Sequence, residues 1–398
     1  MEQRLAQQLP RSDPVLEAFD RLRLKRVEAE FNQTASAFLA KFQSIAASLQ
    51  PDERIKIEVV SMHESVKLLK AVLADPQASK VRLGRHSTFD FVSSVLEHPS
   101  NKIKVLEMSG YLEGDFARFF AALGQSHVSA LTLNHSPKSV QGLHEYLAKD
   151  LLVRLDVWMG NKQVPSEMVV SLADCTRLTK LEMSRCEFSQ PTAFTHLPKS
   201  ITKLTLDSCT FVGDFDWSFL ADSNVRELDF RGVKEVDGNQ LGSALAVHLR
   251  AKGLDTLRFV YCNFVDETLA AIGLGVGRIK KLSVSYAILN DASVELIALA
   301  LQSPNSEMKE LVLRYDGNRA RSIEDHLVPA LKHPNCNLAK LSLWASQEHV
   351  ETAQRVEDMF HNRLALFALL QGRQAKRRYC PLRRLPVEMF RLVGMVLL

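Results

Sequence analysis

The chain has 398 residues, 46% of them hydrophobic, and 50 basic against 46 acidic residues leave a net charge of +4. That is enough apolar material for one large core or several domains, and a balance this even gives no argument for a nucleic-acid partner. No stretch approaches the roughly 20 apolar residues of a spanning helix, the first residues hold no apolar signal core, and none of the six cysteines forms a CxxC pair, so no zinc or thioredoxin motif is spelled. A soluble protein of a reducing compartment, cytoplasmic or nuclear, is expected.

In chain order, residues 1–50 come first. Phe19, Leu22, Val27, Phe31, Phe38, Phe42 and Ile45 recur there at helical spacing, which predicts a helical N-terminal cap. From 51 to 346 one phrase repeats. "LTKLEMSRCEF" at Leu178 returns as "ITKLTLDSCTF" at Ile201, and the pattern is LxxLxLxxC. Its second Leu recurs at Leu106, Leu131, Leu155, Leu181, Leu204, Leu228, Leu257, Leu282, Leu311 and Leu341, with worn copies at Ile55–Ile57 and Val81–Leu83. Alternation of Leu with polar residues is the period of a half-buried strand. The segments between read as helices: "NDASVELIALALQS" offers an N-cap at Asn290 or Asp291 and then Val294, Ile297 and Leu301 at helical spacing. One strand and one helix cannot bury their own apolar faces, so the units must stack. Residues 347–372 read as a further helix and 373–398 as a basic linker with a short terminal helix.

The phrase resembles that of leucine-rich repeats, in particular the ribonuclease-inhibitor-like subtype; "LKHPNCNLAKLSLW" (Leu331 to Trp344) is similar to a repeat of that subtype. The resemblance implies an α/β solenoid, a horseshoe with a parallel sheet on its concave side and helical caps. It implies a scaffold for binding proteins and says little about which. Several middle repeats are shorter than that subtype has, so less helix is expected behind them.

No catalytic constellation appears, and neither an enzyme, a cofactor, a metal site nor a small-molecule substrate is expected. "GLGVG" (Gly273 to Gly277) is Gly-rich but follows a helix and precedes a strand, whereas a phosphate loop needs the opposite order and a Lys. His98 and His333 precede Pro at helix ends, where a donor satisfies the last carbonyls. Cys186, Cys209 and Cys262 share one slot of the repeat with Val233 and Ala287; an inward thiol there serves as a weak donor to a carbonyl, so these cysteines are read as structural.

Three side chains per repeat should face the hollow: those one before, one after and three after the second Leu. The first column includes Lys180, Lys203, Glu227, Thr256, Lys281, Glu310 and Lys340; the second includes Glu182, Thr205, Asp229, Arg258, Ser283, Val312 and Ser342. Much of this reads as a self-paired, solvated surface. Tyr261, Tyr286 and Tyr315 hold the slot four past the second Leu in three successive repeats, and strands ~4.8 Å apart would align them in a row at the rim. Arg231, Arg258, Arg314 and Trp344 point into the hollow nearby. Trp, Tyr and Arg dominate binding hot spots, so these seven residues are the candidate protein-binding surface; the alternative is a packing ladder. Trp158 is a lone aromatic in the third column.

From Arg363 onward there are eight basic residues and one acidic residue, a charge of +7 that leaves −3 for the rest of the chain. The closing phrase "LPVEMFRLVGMVL" is similar to the first helix of an F-box, matching at Leu385, Pro386, Glu388, Met389, Phe390, Val393 and Leu397. That resemblance implies recruitment of the Skp-type adaptor of a cullin ubiquitin ligase, with the repeats holding a target. The alternatives are a helix that merely caps the last repeat, in a regulator that occludes a partner on its concave face, and a tail that meets membrane surfaces.

Overall fold

A computed structural model describes strands at 23–29, 53–59 and 78–83, parts of 92–109, residues 116–134, 143–164, most of 168–189, 197–287, 289–314, 323–344 and most of 350–362. The chain forms two compact units, Met1–Trp158 and Met159–Leu398, and the repeats expected as one run over 51–346 are divided between them.

The first unit is a parallel sheet in sequence order: β1 (Arg23–Ala29), β2 (Glu53–Val59), β3 (Ala78–Leu83), β4 (Val105–Ser109), β5 (Ala130–Asn134) and the start of β6 (Arg154–Gln163). One column of the phrase runs straight through it: Val27 opposes Ile57, Ile57 opposes Val81, Val81 opposes Leu106, Leu106 opposes Leu131 and Leu131 opposes Leu155. Short helices α1 (Phe116–Leu123) and α2 (Leu143–Leu147) lie between its strands.

The cap over 1–50 needs correction. Arg23–Ala29, inside the segment expected to be helical, is the strand β1. Val27 keeps a helical step of four to Phe31, but the strand column takes it opposite Ile57. Seven residues beside a ready strand edge are governed by that neighbour rather than by their own period. The other residues of 1–50 lie outside the described residues.

The second unit continues the phrase in β7 (Lys180–Phe188), β8 (Lys203–Asp207), β10 (Glu227–Arg231), β11 (Leu254–Val260), β12 (Ile279–Ser285), β13 (Glu310–Arg314) and β14 (Lys340–Trp344), all parallel, with the two-residue β9 (Thr210–Phe211) pairing the end of β7. Leu181, Leu204, Leu228, Leu257, Leu282, Leu311 and Leu341 oppose one another strand by strand, and none exceeds 3% exposure. Burial of each contributes about 1.5–3 kcal/mol, and a one-residue slip would turn the whole column to water. That penalty fixes the register. The repeats are thus an α/β leucine-rich-repeat solenoid in their parallel strands, crossovers and shared core column.

Repeat length decides what lies behind the sheet. The 29-residue step from Leu228 to Leu257 holds α4 (Gly238–Ala251), started by Asp237, whose carboxylate accepts from the N–H groups of Asn239 and Gln240. It ends at Gly253, whose φ of +71° reverses the chain. The 24-residue step before it has room only for α3 (Phe219–Asp222). Aromatic rings fill the space that a longer helix would occupy: Phe188 stacks on Phe211 at 4.9 Å, and Phe215 and Trp217 meet Phe211 at 4.5 and 4.9 Å. The reduced helix expected behind the middle repeats is therefore present. Farther on come α5 (Val265–Ile272), α6 (Asp291–Gln302) and α7 (Val328–Lys332). Asn290, not Asp291, caps α6, accepting from Ser293 N–H. Residues 353–362 are helical, within the segment read as a C-terminal helix.

Candidate functional site

The open face of the second unit's sheet, opposite its core, carries the three columns. The first is self-paired as expected. Lys203 Nζ lies 2.9 Å from Glu227, and Glu310 sits between Lys281 and Lys340 at 3.0 and 2.9 Å. Partial burial alone would raise the Glu310 carboxyl, but hydrogen bonds and charge from Lys340 and Lys281 outweigh it and hold the group below its ordinary value. In the second column Asp229 is 8% exposed. Its Oδ2 accepts from Arg231 at 2.6 Å, and Arg258 Nη1 lies 3.9 Å away. The hydrogen bond to Asp229 holds Arg231 protonated against the cost of its partial burial. Asp229 Oδ1 is buried with no hydrogen-bond partner among the described residues.

At the rim, Tyr261 and Tyr286 stack with ring centroids 4.3 Å apart and planes 12° from parallel. Past Tyr286 the row gains a member that was not expected in it. Arg314, three past its Leu, lays its guanidinium 3.6 Å over the Tyr286 ring and 6.0 Å from that of Trp344. Tyr315, expected beside Tyr286, lies outside the described residues. Among the described residues the row runs Tyr261, Tyr286, Arg314, Trp344 across four successive strands. Trp344 is braced by its own indole N–H, which donates to Ser342 Oγ at 3.0 Å. Tyr261 and Trp344 are 62% and 59% exposed, so this is not core packing that happens to reach the surface.

The rim slot has a backbone signature. Arg185, Ser208, Gly232, Tyr261 and Tyr286 all adopt a left-handed conformation, with φ between 50° and 55°. Each turn is tied to the next repeat: Gly232 N–H donates to Val260 O at 2.7 Å, Tyr261 to Ser285 O at 3.0 Å, and Tyr286 to Arg314 O at 3.2 Å. A bulky residue at positive φ is an outlier, yet two tyrosines hold it in succession. Sequence reading missed this, although Gly232 in the same slot was the available signal.

One residue farther on, the cysteine slot behaves as read. Cys209 Sγ lies 3.2 Å from Met183 O and Cys262 Sγ 3.6 Å from Phe230 O, each the carbonyl two past the Leu of the preceding strand. Burial pushes the Cys262 thiol up to about 11, so it stays a neutral donor. Gly273–Arg278 is a short 3-10 helix between α5 and β12, in the order that argued against a phosphate loop. His333 ends α7; its backbone N–H donates to Ala330 O, and its Nδ1 accepts from Asn335 N–H at 3.3 Å. Trp158, in the first unit, opposes Asn134. Among the described residues no His, Cys, Asp and Glu side chains gather as a metal site, and no helix is long and apolar enough to cross a membrane. The F-box-like residues from Leu385 to Leu397 lie outside the described residues.

The chain matches no protein-family profile and no curated protein sequence. Among solved structures it is similar to an internalin from Listeria monocytogenes, at 11% identity and a TM-score of 0.45, over 83% of this chain and 89% of that one.

Proposed function

We propose that this protein is a non-catalytic recognition scaffold and that its second unit holds a protein partner on the rim of strands β11 to β14. One observation carries the reading: an exposed Tyr261 is stacked on a half-buried Tyr286, both on a backbone conformation that favours Gly or Asn. Nothing in the stacking of the repeats needs a tyrosine there, since Gly232 and Ser208 hold the same slot. Rigid aromatic surface with an Arg between the rings loses little side-chain freedom on binding.

The test is capture from cell extract, compared quantitatively between the wild-type chain and Tyr261→Asn/Tyr286→Asn. A protein retained by the first and lost by the second, at equal melting temperature, supports the reading. Identical captured sets count against it.

The tail belongs to the same proposal at a second level. Its match to an F-box helix, at Leu385, Pro386, Glu388, Met389, Phe390, Val393 and Leu397, supports recruitment of a Skp-type adaptor, which makes the scaffold a ubiquitin-ligase substrate receptor in the cytoplasm or nucleus. Purified adaptor binding to the full chain but not to a chain lacking residues 381–398 is the expected result. Adaptor binding to neither leaves a regulator that acts by occlusion.

A further inference from the structure

The open face of β10 to β14 carries three acids, and each is already engaged. Glu227 pairs with Lys203, Asp229 with Arg231, and Glu310 with both Lys281 and Lys340. Five cations share the same face: Arg231, Arg258, Lys281, Arg314 and Lys340. Two of them are the least engaged. Arg258, 44% exposed, pairs with Asp229 only at 3.9 Å, and Arg314 has no carboxylate partner among the described residues. Arg314 lies on the Tyr286 ring, and Arg258 stands in β11, three residues before Tyr261.

Arg314 is held in a particular way. All five guanidinium N–H groups lie in its plane. With the face of that plane against Tyr286, the donors point sideways along the rim. Stacking thus fixes the fork and leaves its edge open to a planar oxyanion, the geometry in which Arg outperforms Lys. The aromatic flanks keep water from one side and strengthen such a contact.

Resting on the recognition reading above, we infer that the partner presents an acidic peptide segment, one carboxylate meeting the edge of Arg314 and another meeting Arg258, with apolar side chains between them on the tyrosine pair. The two arginines stand on strands two apart and two positions apart along the register, roughly 12 Å in all, which an extended chain covers in about three to four residues. The acids should therefore be spaced three or four residues apart. A phosphorylated side chain offers the same oxyanion chemistry.

The experiment is a display selection of random dodecapeptides on the immobilised full-length chain, repeated on Arg258→Gln/Arg314→Gln and on Tyr261→Asn/Tyr286→Asn, each checked for an unchanged melting curve. Wild type should enrich paired Asp or Glu at that spacing. A synthetic peptide from the pool should lose about tenfold in affinity for the Gln variant, or when its own acids become amides. Should the Gln variant melt early, Arg258→Lys/Arg314→Lys, which keeps the charge and loses the fork, replaces it, with an intermediate loss expected. The same peptide with phosphoserine in place of its acids identifies the source of the oxyanion: tighter binding assigns phosphate, weaker binding carboxylate. A pool without acid enrichment, a pool whose acids serve the Gln variant equally, or no binder at all overturns the inference. Peptides that need the tyrosines but not the acids leave the recognition reading standing and remove only this one; peptides indifferent to the tyrosines remove the reading itself.

Discussion

At the scale of single residues, the rim slot sets backbone cost against surface value. A non-Gly residue in the left-handed region costs roughly 1–2 kcal/mol, and Asn tolerates the region better. Losing a stacked aromatic pair costs about 0.5–1.5 kcal/mol. The two effects nearly cancel, so Tyr286→Asn should change unfolding free energy by less than about 1 kcal/mol in urea titration while weakening partner capture. His248 is a second residue-scale case. It is 1% exposed, with Nδ1 2.8 Å from Leu220 O and Nε2 2.9 Å from Val225 O. Burial outweighs the pull of the two carbonyls, helped by Lys252 and Arg226, and the imidazole is held below its ordinary value. The unfolded chain then binds a proton more readily than the folded one, so stability is full at neutral pH and declines as pH falls below the ordinary histidine value of about 6.5. Melting curves from about pH 7.5 to 5.5 should show that decline, and His248→Gln should flatten it; a wild type that gains stability on acidification would contradict the assignment.

At the scale of elements, α4 and α5 meet through two glycines. A Cβ on Gly242 would sit 2.5 Å from Thr268 O and 2.6 Å from Ala271 Cβ, and one on Gly238 would sit 2.7 Å from Phe264 O. Gly→Ala inside a helix ordinarily stabilises by as much as ~1 kcal/mol. Overpacking against backbone typically costs 1–3 kcal/mol, so the sign reverses here: Gly242→Ala should lower stability by roughly 2 kcal/mol, measured by denaturant midpoint at constant slope. Elements also show where sequence was readable. The core column of alternating Leu was legible to the residue, because water rejects a misplaced Leu on every second position. The helix caps were legible where a side chain does the capping, as at Asn290. β1 was not, since a strand of seven residues at a sheet edge takes its state from β2. The Arg314 contact on Tyr286 was not legible either, since only side-chain placement brings a guanidinium three past its Leu over that ring.

At the scale of the molecule, each unit is a nearest-neighbour array, and damage should spread along the chain of repeats. Leu204 is fully buried and stands between Leu181 and Leu228 in the core column. Leu204→Asp would place an unpaired charge there, costing several kcal/mol. Hydrogen exchange should accelerate first in β7, β8 and β10 and least in β13 and β14; uniform acceleration throughout the second unit would show that its repeats unfold as one body. The same one-dimensional logic explains why a binding face can be read at all. Registered strands bring Tyr261, Tyr286, Arg314 and Trp344, spread over more than eighty positions of sequence, into one row.

That row as a recognition surface is tested most directly by the dissociation constant of a captured partner, measured by titration calorimetry for the wild type and for Tyr261→Asn/Tyr286→Asn. A loss of about tenfold or more at an unchanged melting temperature is the expected result. Equal affinity in the two proteins would contradict it.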